Sequence, residues 1–94
     1  MPTIEFVRAR VIDRILNYAS EQKPHSFVDE KTSLVEDLGF QSIDAINLVL
    51  ELDKEFGIEI EIEQLVDVLT LGDVVNLVLR KLAISPMLKD STGT

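Results

Sequence analysis

The sequence contains no cysteine and no tryptophan, a single histidine and a single tyrosine. Without a thiol it can form no disulfide framework, no thiolate metal site and no cysteine nucleophile. Any thioester chemistry would need a thiol brought from outside. The lone His25 cannot form half of a His-based metal site, and it falls in a stretch that reads as loop, so neither a metal centre nor a catalytic triad is expected. Basic residues are also scarce: nine Lys and Arg against 17 Asp and Glu leave a net charge of −8. That balance opposes nucleic acid and anionic membrane surfaces and favours basic partner surfaces. No apolar run approaches the roughly 18 residues of a membrane span, and residues 1–10 lack the pattern of a secretory signal. The expectation is a cytoplasmic monomer with no membrane insertion. What remains, 46% hydrophobic and 28% charged residues in a chain of 94, is the composition of one ordinary globular domain.

Hydrophobic spacing organises this domain. Over residues 3–20, Ile4, Val7, Val11, Ile15 and Ala19 recur at helical intervals, with Arg8, Arg14 and Asn17 turned away and Thr3 placed as N-cap. The periodicity fades over residues 21–41, where Pro24 breaks helix and isolated apolar residues (Phe27, Val28, Leu34, Leu38, Phe40) predict a long loop packed down on the helices. Residues 43–56 form the strongest periodic segment, opened by Ser42 as N-cap and closed by Gly57. Residues 58–62 alternate apolar and acidic but have no strand to pair with, so they read as extended loop. A turn or two of helix fits residues 62–68. Thr70 and Asp73 then form a capping box that opens a last helix over residues 71–82, with Arg80 and Lys81 at its C-terminal end. The expected architecture is all-α, a small four-helix bundle of three long helices and one short, with a long first loop. Residues 1–84 make the domain and residues 85–94 a flexible tail.

Projected at about 100° per residue, the second helix carries two apolar groups. Ala45, Leu48, Val49, Leu52 and Phe56 share one face, while Ile43, Ile46 and Leu50 form a second stripe about a third of a turn away, bordered by Asn47, Asp53 and Lys54. The first group suffices to reach the core, so the second either packs under the long loop or stays exposed for a partner. Residues 36–67 hold ten acidic residues and one basic one, a local charge of −9 against +1 elsewhere. Such a segment is a solvated surface or, beside an apolar stripe, a docking rim for Lys- and Arg-rich partners. Ser42 sits where these features meet. A Ser there serves as an N-cap, yet the positive end of a helix dipole and its free N–H groups also suit a phosphate ester on the hydroxyl. Lacking a G-x-S-x-G elbow and a His base, Ser42 is no hydrolytic nucleophile.

At these residues the chain resembles the acyl carrier protein (ACP) family. The segment Leu38-Gly39-Phe40-Gln41-Ser42-Ile43-Asp44 is similar to that family's D-S-L-type attachment motif, and Leu34, Glu36-Asp37, Leu48-Val49, Glu55-Phe56, Glu59-Ile60 and Thr70 continue the pattern over residues 32–78 without a gap. The resemblance implies a carrier that is not an enzyme and has no catalytic residues. Its cofactor would be a covalent 4′-phosphopantetheine arm, moved from coenzyme A to Ser42 by a phosphopantetheinyl transferase with Mg²⁺ at the transferase interface. Acyl intermediates would ride on the arm's thiol as thioesters for fatty-acid or related lipid or polyketide biosynthesis. Implied partners are the transferase and enzymes of the acyl-ACP synthetase, ketosynthase or acyltransferase kind, contacted through Gln41, Ile43, Asp44, Ile46, Asn47, Leu50 and Glu51. Two departures stand out: Gln41 replaces the Asp usual before the serine, and Asn47 and Lys54 stand where the family is commonly acidic. They leave room for a specialised polyketide or peptide pathway, although Phe40 in place of a second Gly argues against the peptide-synthetase form. An unmodified helical interaction module, using the Ile43, Ile46 and Leu50 stripe alone, is the alternative of another class. A calcium-binding helix pair is set aside because its loop motif is absent.

Overall fold

The computed structural model describes the backbone of residues 3–20 and 27–92 and the side chains through residue 82. Three α-helices, α1 (Ile4–Tyr18), α2 (Ser42–Phe56) and α3 (Leu71–Thr92), and a 3₁₀ helix (Ile62–Asp67) follow one another with no strand among the described residues. Helix α1 packs against both α2 and α3. The all-α architecture, three long helices and one short, is the one the hydrophobic spacing predicts.

Helix α1 begins where Thr3 Oγ1 accepts the Phe6 N–H at 3.0 Å. Its buried face is Val7, Val11, Ile12, Ile15 and Leu16. Ile4, expected in that stripe, is exposed together with Glu5 and Phe6, and burial begins at Val7. Val11, Ile15, Leu38, Leu52, Leu71 and Val78 are fully enclosed. Burying a side chain of this kind contributes about 1.5–3 kcal/mol, so packing overrides the weak helix propensity of the β-branched residues in α1.

Residues 27–41 of the long loop are fastened by hydrogen bonds of their own. Thr32 Oγ1 accepts the Asp29 N–H at 2.8 Å, and Asp37 Oδ2 accepts the Ser33 N–H at 2.8 Å while Ser33 Oγ accepts the Glu36 N–H at 3.0 Å. A short helical turn results, since the Asp37 N–H reaches the Ser33 carbonyl at 3.1 Å. Val28, Leu34, Leu38 and Phe40 are buried as the loop pattern predicts, but Phe27 is exposed: it lies at the edge of this stitched region, before the first hydrogen-bonded turn. Pro24 and His25 lie outside the described residues.

The loop also caps α3. Leu71 and Gly72 at its start donate their N–H groups to the carbonyls of Thr32 and Glu30, at 2.9 and 3.0 Å, while Leu34 donates to Leu69 at 3.1 Å. Asp73 accepts the N–H groups of Leu69 and Thr70 and donates its own N–H to Thr70 Oγ1, the expected capping box. This approach needs glycine at residue 72, where a Cβ would stand 2.8 Å from the Glu30 carbonyl oxygen. The backbone of α3 continues through Thr92, past the end expected at residue 82. Pro86, which lacks an N–H and reads as a stop, lies inside α3, where it leaves one carbonyl of the preceding turn without its helical donor. Arg80 and Lys81 therefore lie within α3, not at its C-terminal end.

Candidate functional site

The N-cap of α2 is Gln41, and Ser42 is the first helical residue rather than the cap. Asp44 causes this one-residue shift: its Oδ2 accepts the Gln41 N–H at 2.9 Å, which fixes the entry of the chain at Gln41. Ser42 is released from capping. Its side chain is exposed and, among the described residues, its hydroxyl makes no hydrogen bond. The preceding residues are held from below, because the Phe40 N–H reaches the Leu34 carbonyl at 2.9 Å and Phe40 and Leu38 are buried. A fixed backbone thus presents a free hydroxyl beside the first N–H groups of α2, the end of a helix that favours an anionic ester.

From Ser42 an apolar stripe runs along the exposed side of α2. Ile43, Ile46 and Leu50 retain 56%, 37% and 55% of their accessible surface, so the long loop does not cover them. Leu48, Val49 and Leu52 form the buried face. Of the residues expected around the stripe, Gln41 is exposed with it, whereas Asp44, Asn47 and Glu51 are half-buried at its margin. Glu51 turns toward α1 beside Tyr18, with Oε2 closed off from solvent and unpaired. Burial and then the Glu51 charge push the Tyr18 hydroxyl above its ordinary value.

The remaining acids of α2 also serve the fold. Glu55 accepts from Arg14 Nε at 2.9 Å and from Arg10 Nε, which clamps α1 to the end of α2. Burial pushes the Glu55 carboxyl up, but the two guanidinium groups outweigh it and hold it below the usual range. Asp53 Oδ1 accepts the Ile60 N–H at 3.0 Å, and Gly57, at φ 65°, closes the helix. Spacing alone showed neither the clamp nor this fastening, because both depend on residues brought together from different elements.

Beneath the stripe, a small apolar cavity of about 40 Å³ lies between Ala45, Leu48 and Val49 of α2, Leu65 and Val68 around the 3₁₀ helix, and Val74 and Leu77 of α3. The 3₁₀ helix adds exposed Ile62 and Val66, with Leu69 just beyond it. In the sequence Ile62 and Val66 are set between Glu61, Glu63 and Asp67, and Leu69 follows them. Among the described residues no cluster of His, Cys, Asp and Glu could hold a metal, and no helix is long and apolar enough to cross a membrane.

A family model described as a phosphopantetheine attachment site matches residues 10–78. The acyl carrier protein of Thermotoga maritima is 31% identical over 77 residues, covering 80% of this chain and 95% of the relative. That of Helicobacter hepaticus is 37% identical over 75 residues, covering 80% and 91%. A solved structure of the acyl carrier protein of T. maritima superposes with a TM-score of 0.65 at 35% identity, covering 82% of this chain and 92% of that one.

Proposed function

The chain belongs to the acyl carrier protein family, whose members are carriers rather than enzymes and bear covalent 4′-phosphopantetheine, and from that premise we propose that Ser42 holds the arm. The observation that carries the proposal is the exposed Ser42 hydroxyl, uncommitted to capping, on the first turn of α2. When bound, the arm supplies a terminal thiol on which acyl groups ride as thioesters, for fatty-acid or related lipid or polyketide biosynthesis. The chain's own residues present the hydroxyl, stabilise the ester and offer a docking surface. Asp44 fixes the entry of α2, so the hydroxyl stands at one place and is free to meet a transferase. The N–H groups of Ser42 and Ile43 face no acceptor among the described residues and can support the phosphodiester's negative charge. Ile43, Ile46 and Leu50 supply apolar anchors for the transferase and for acyl-handling partners.

The absence of cysteine makes the arm's thiol the sole thioester site of the loaded carrier. An acyl chain would enter between α2, the 3₁₀ helix and α3. The cavity of about 40 Å³ there is little more than the roughly 30 Å³ share of one liquid water. A chain of several carbons must therefore part Leu48, Leu65 and Val68.

Incubation with coenzyme A, Mg²⁺ and a broad-specificity phosphopantetheinyl transferase should add the mass of one arm to the parent and none to Ser42→Ala. Addition to the Ala variant would overturn the assignment.

A further inference from the structure

The segment of residues 36–67 is densely acidic, but the structure distributes that charge unevenly. All four acids of α2 are half-buried and turned to other tasks: Asp44 to the helix entry, Glu51 toward Tyr18, Asp53 to the Ile60 N–H and Glu55 to two arginines. Lys54, the one basic residue of the segment, is the only charged side chain of α2 that is exposed. It falls on the stripe's side of the helix, about 40° from Leu50 and 20° from Ile43 in projection. The surface that runs from Ser42 is therefore an apolar strip with a cation at its far end. Of the exposed acids of the segment, Glu59, Glu61, Glu63 and Asp67 lie along the 3₁₀ region, and Glu36 and Asp37 on the loop that leads into Ser42, at the opposite end of α2 from Lys54.

We propose that Lys54 is a specificity-determining residue of the docking surface, selecting partner proteins that place an acidic group against the C-terminal end of the stripe and disfavouring partners whose docking surface is basic there. The inference rests on the reading of Ser42 as the attachment site. Its physical basis is repulsion: a lysine at the edge of an apolar contact is partly stripped of water on docking, where a like charge opposite it is costly and an opposite charge is favourable. The apolar anchors supply affinity that a range of partners could share, while Lys54 separates those partners by sign.

The test uses the full chain and a phosphopantetheinyl transferase whose carrier-docking surface is basic. Modification is followed at saturating coenzyme A for the parent, for Lys54→Glu and for Lys31→Glu. The last makes the same change in net charge on the long loop, beside Arg8 and Glu30 and away from the stripe. Lys54→Glu should raise kcat/KM about two- to tenfold at low salt, mainly through KM, and the gain should shrink as salt is added. Lys31→Glu should leave the rate near that of the parent. Reversing one docking lysine or arginine of the transferase to Glu should return the advantage to the parent. Equal effects of the two substitutions would reduce the gain to net charge, and an unchanged or lowered rate for Lys54→Glu would place it outside the docking surface; either overturns the proposal. No modification of any of the three proteins would overturn the carrier reading itself, and the inference with it.

Discussion

Ser42 shows how a single side chain can be freed for one task by a neighbour that takes over another. The Ser at the start of a periodic segment was legible in the sequence, and so was the chemistry that a helix N-terminus offers a phosphate ester. The one-residue shift of the cap to Gln41 was not, because it depends on Asp44 Oδ2 reaching the Gln41 N–H. A consequence follows for stability. Since the Ser42 hydroxyl makes no hydrogen bond among the described residues, Ser42→Ala should change unfolding free energy by under about 0.5 kcal/mol. A true N-cap would cost about 1 kcal/mol. Urea unfolding of the two proteins separates these outcomes, and a loss of a full kcal/mol would mean that the hydroxyl is structural.

On α2, two leucines one pair of residues apart occupy opposite environments. Leu52 is fully enclosed and Leu50 exposed, so Leu52→Ala should cost about 2–5 kcal/mol, whereas Leu50→Ala should cost under about 1 kcal/mol and impair modification by the transferase. If Leu50→Ala were as destabilising as Leu52→Ala and modified normally, the stripe would belong to the interior. The two apolar groups of α2 were legible from a projection, but which one faced solvent was not, since that depends on where the loop of residues 27–41 lies. The attachment of that loop to α3 was equally hidden. Gly72 carries no turn signal in the sequence, and its role appears only when Glu30 is found against it. Gly72→Ala should destabilise the fold by about 1–3 kcal/mol, because the new Cβ must displace loop backbone rather than the end of a flexible side chain. Urea unfolding with an unchanged midpoint would show that the loop yields without cost.

Across the whole molecule, the balance of charge couples stability to pH. Asp73 is held low by the backbone N–H groups of Leu69 and Thr70, and Glu55 is held low by Arg10 and Arg14 against the effect of its burial. A carboxyl with a depressed folded-state value stabilises the fold fully above its unfolded value, near 4, and that contribution is lost as pH falls through the folded value. Comparing the parent with Glu55→Gln isolates the clamp: the variant should be less stable at pH 7 but lose less between pH 5 and pH 3, as read from urea midpoints. Parallel losses in both would mean that the clamp contributes nothing to acid sensitivity. The concentration of charge was plain in the sequence; the inward commitment of the α2 acids was not, since each partner comes from another element or from the turn beyond the helix.

The carrier account depends above all on where the prosthetic arm is attached. Peptide mapping by tandem mass spectrometry, on chain modified with coenzyme A and a broad-specificity transferase, should find one phosphopantetheine on the hydroxyl of Ser42 and none on any other residue; an arm on a different hydroxyl, or an unmodified Ser42 in a chain that has gained the mass, would contradict it.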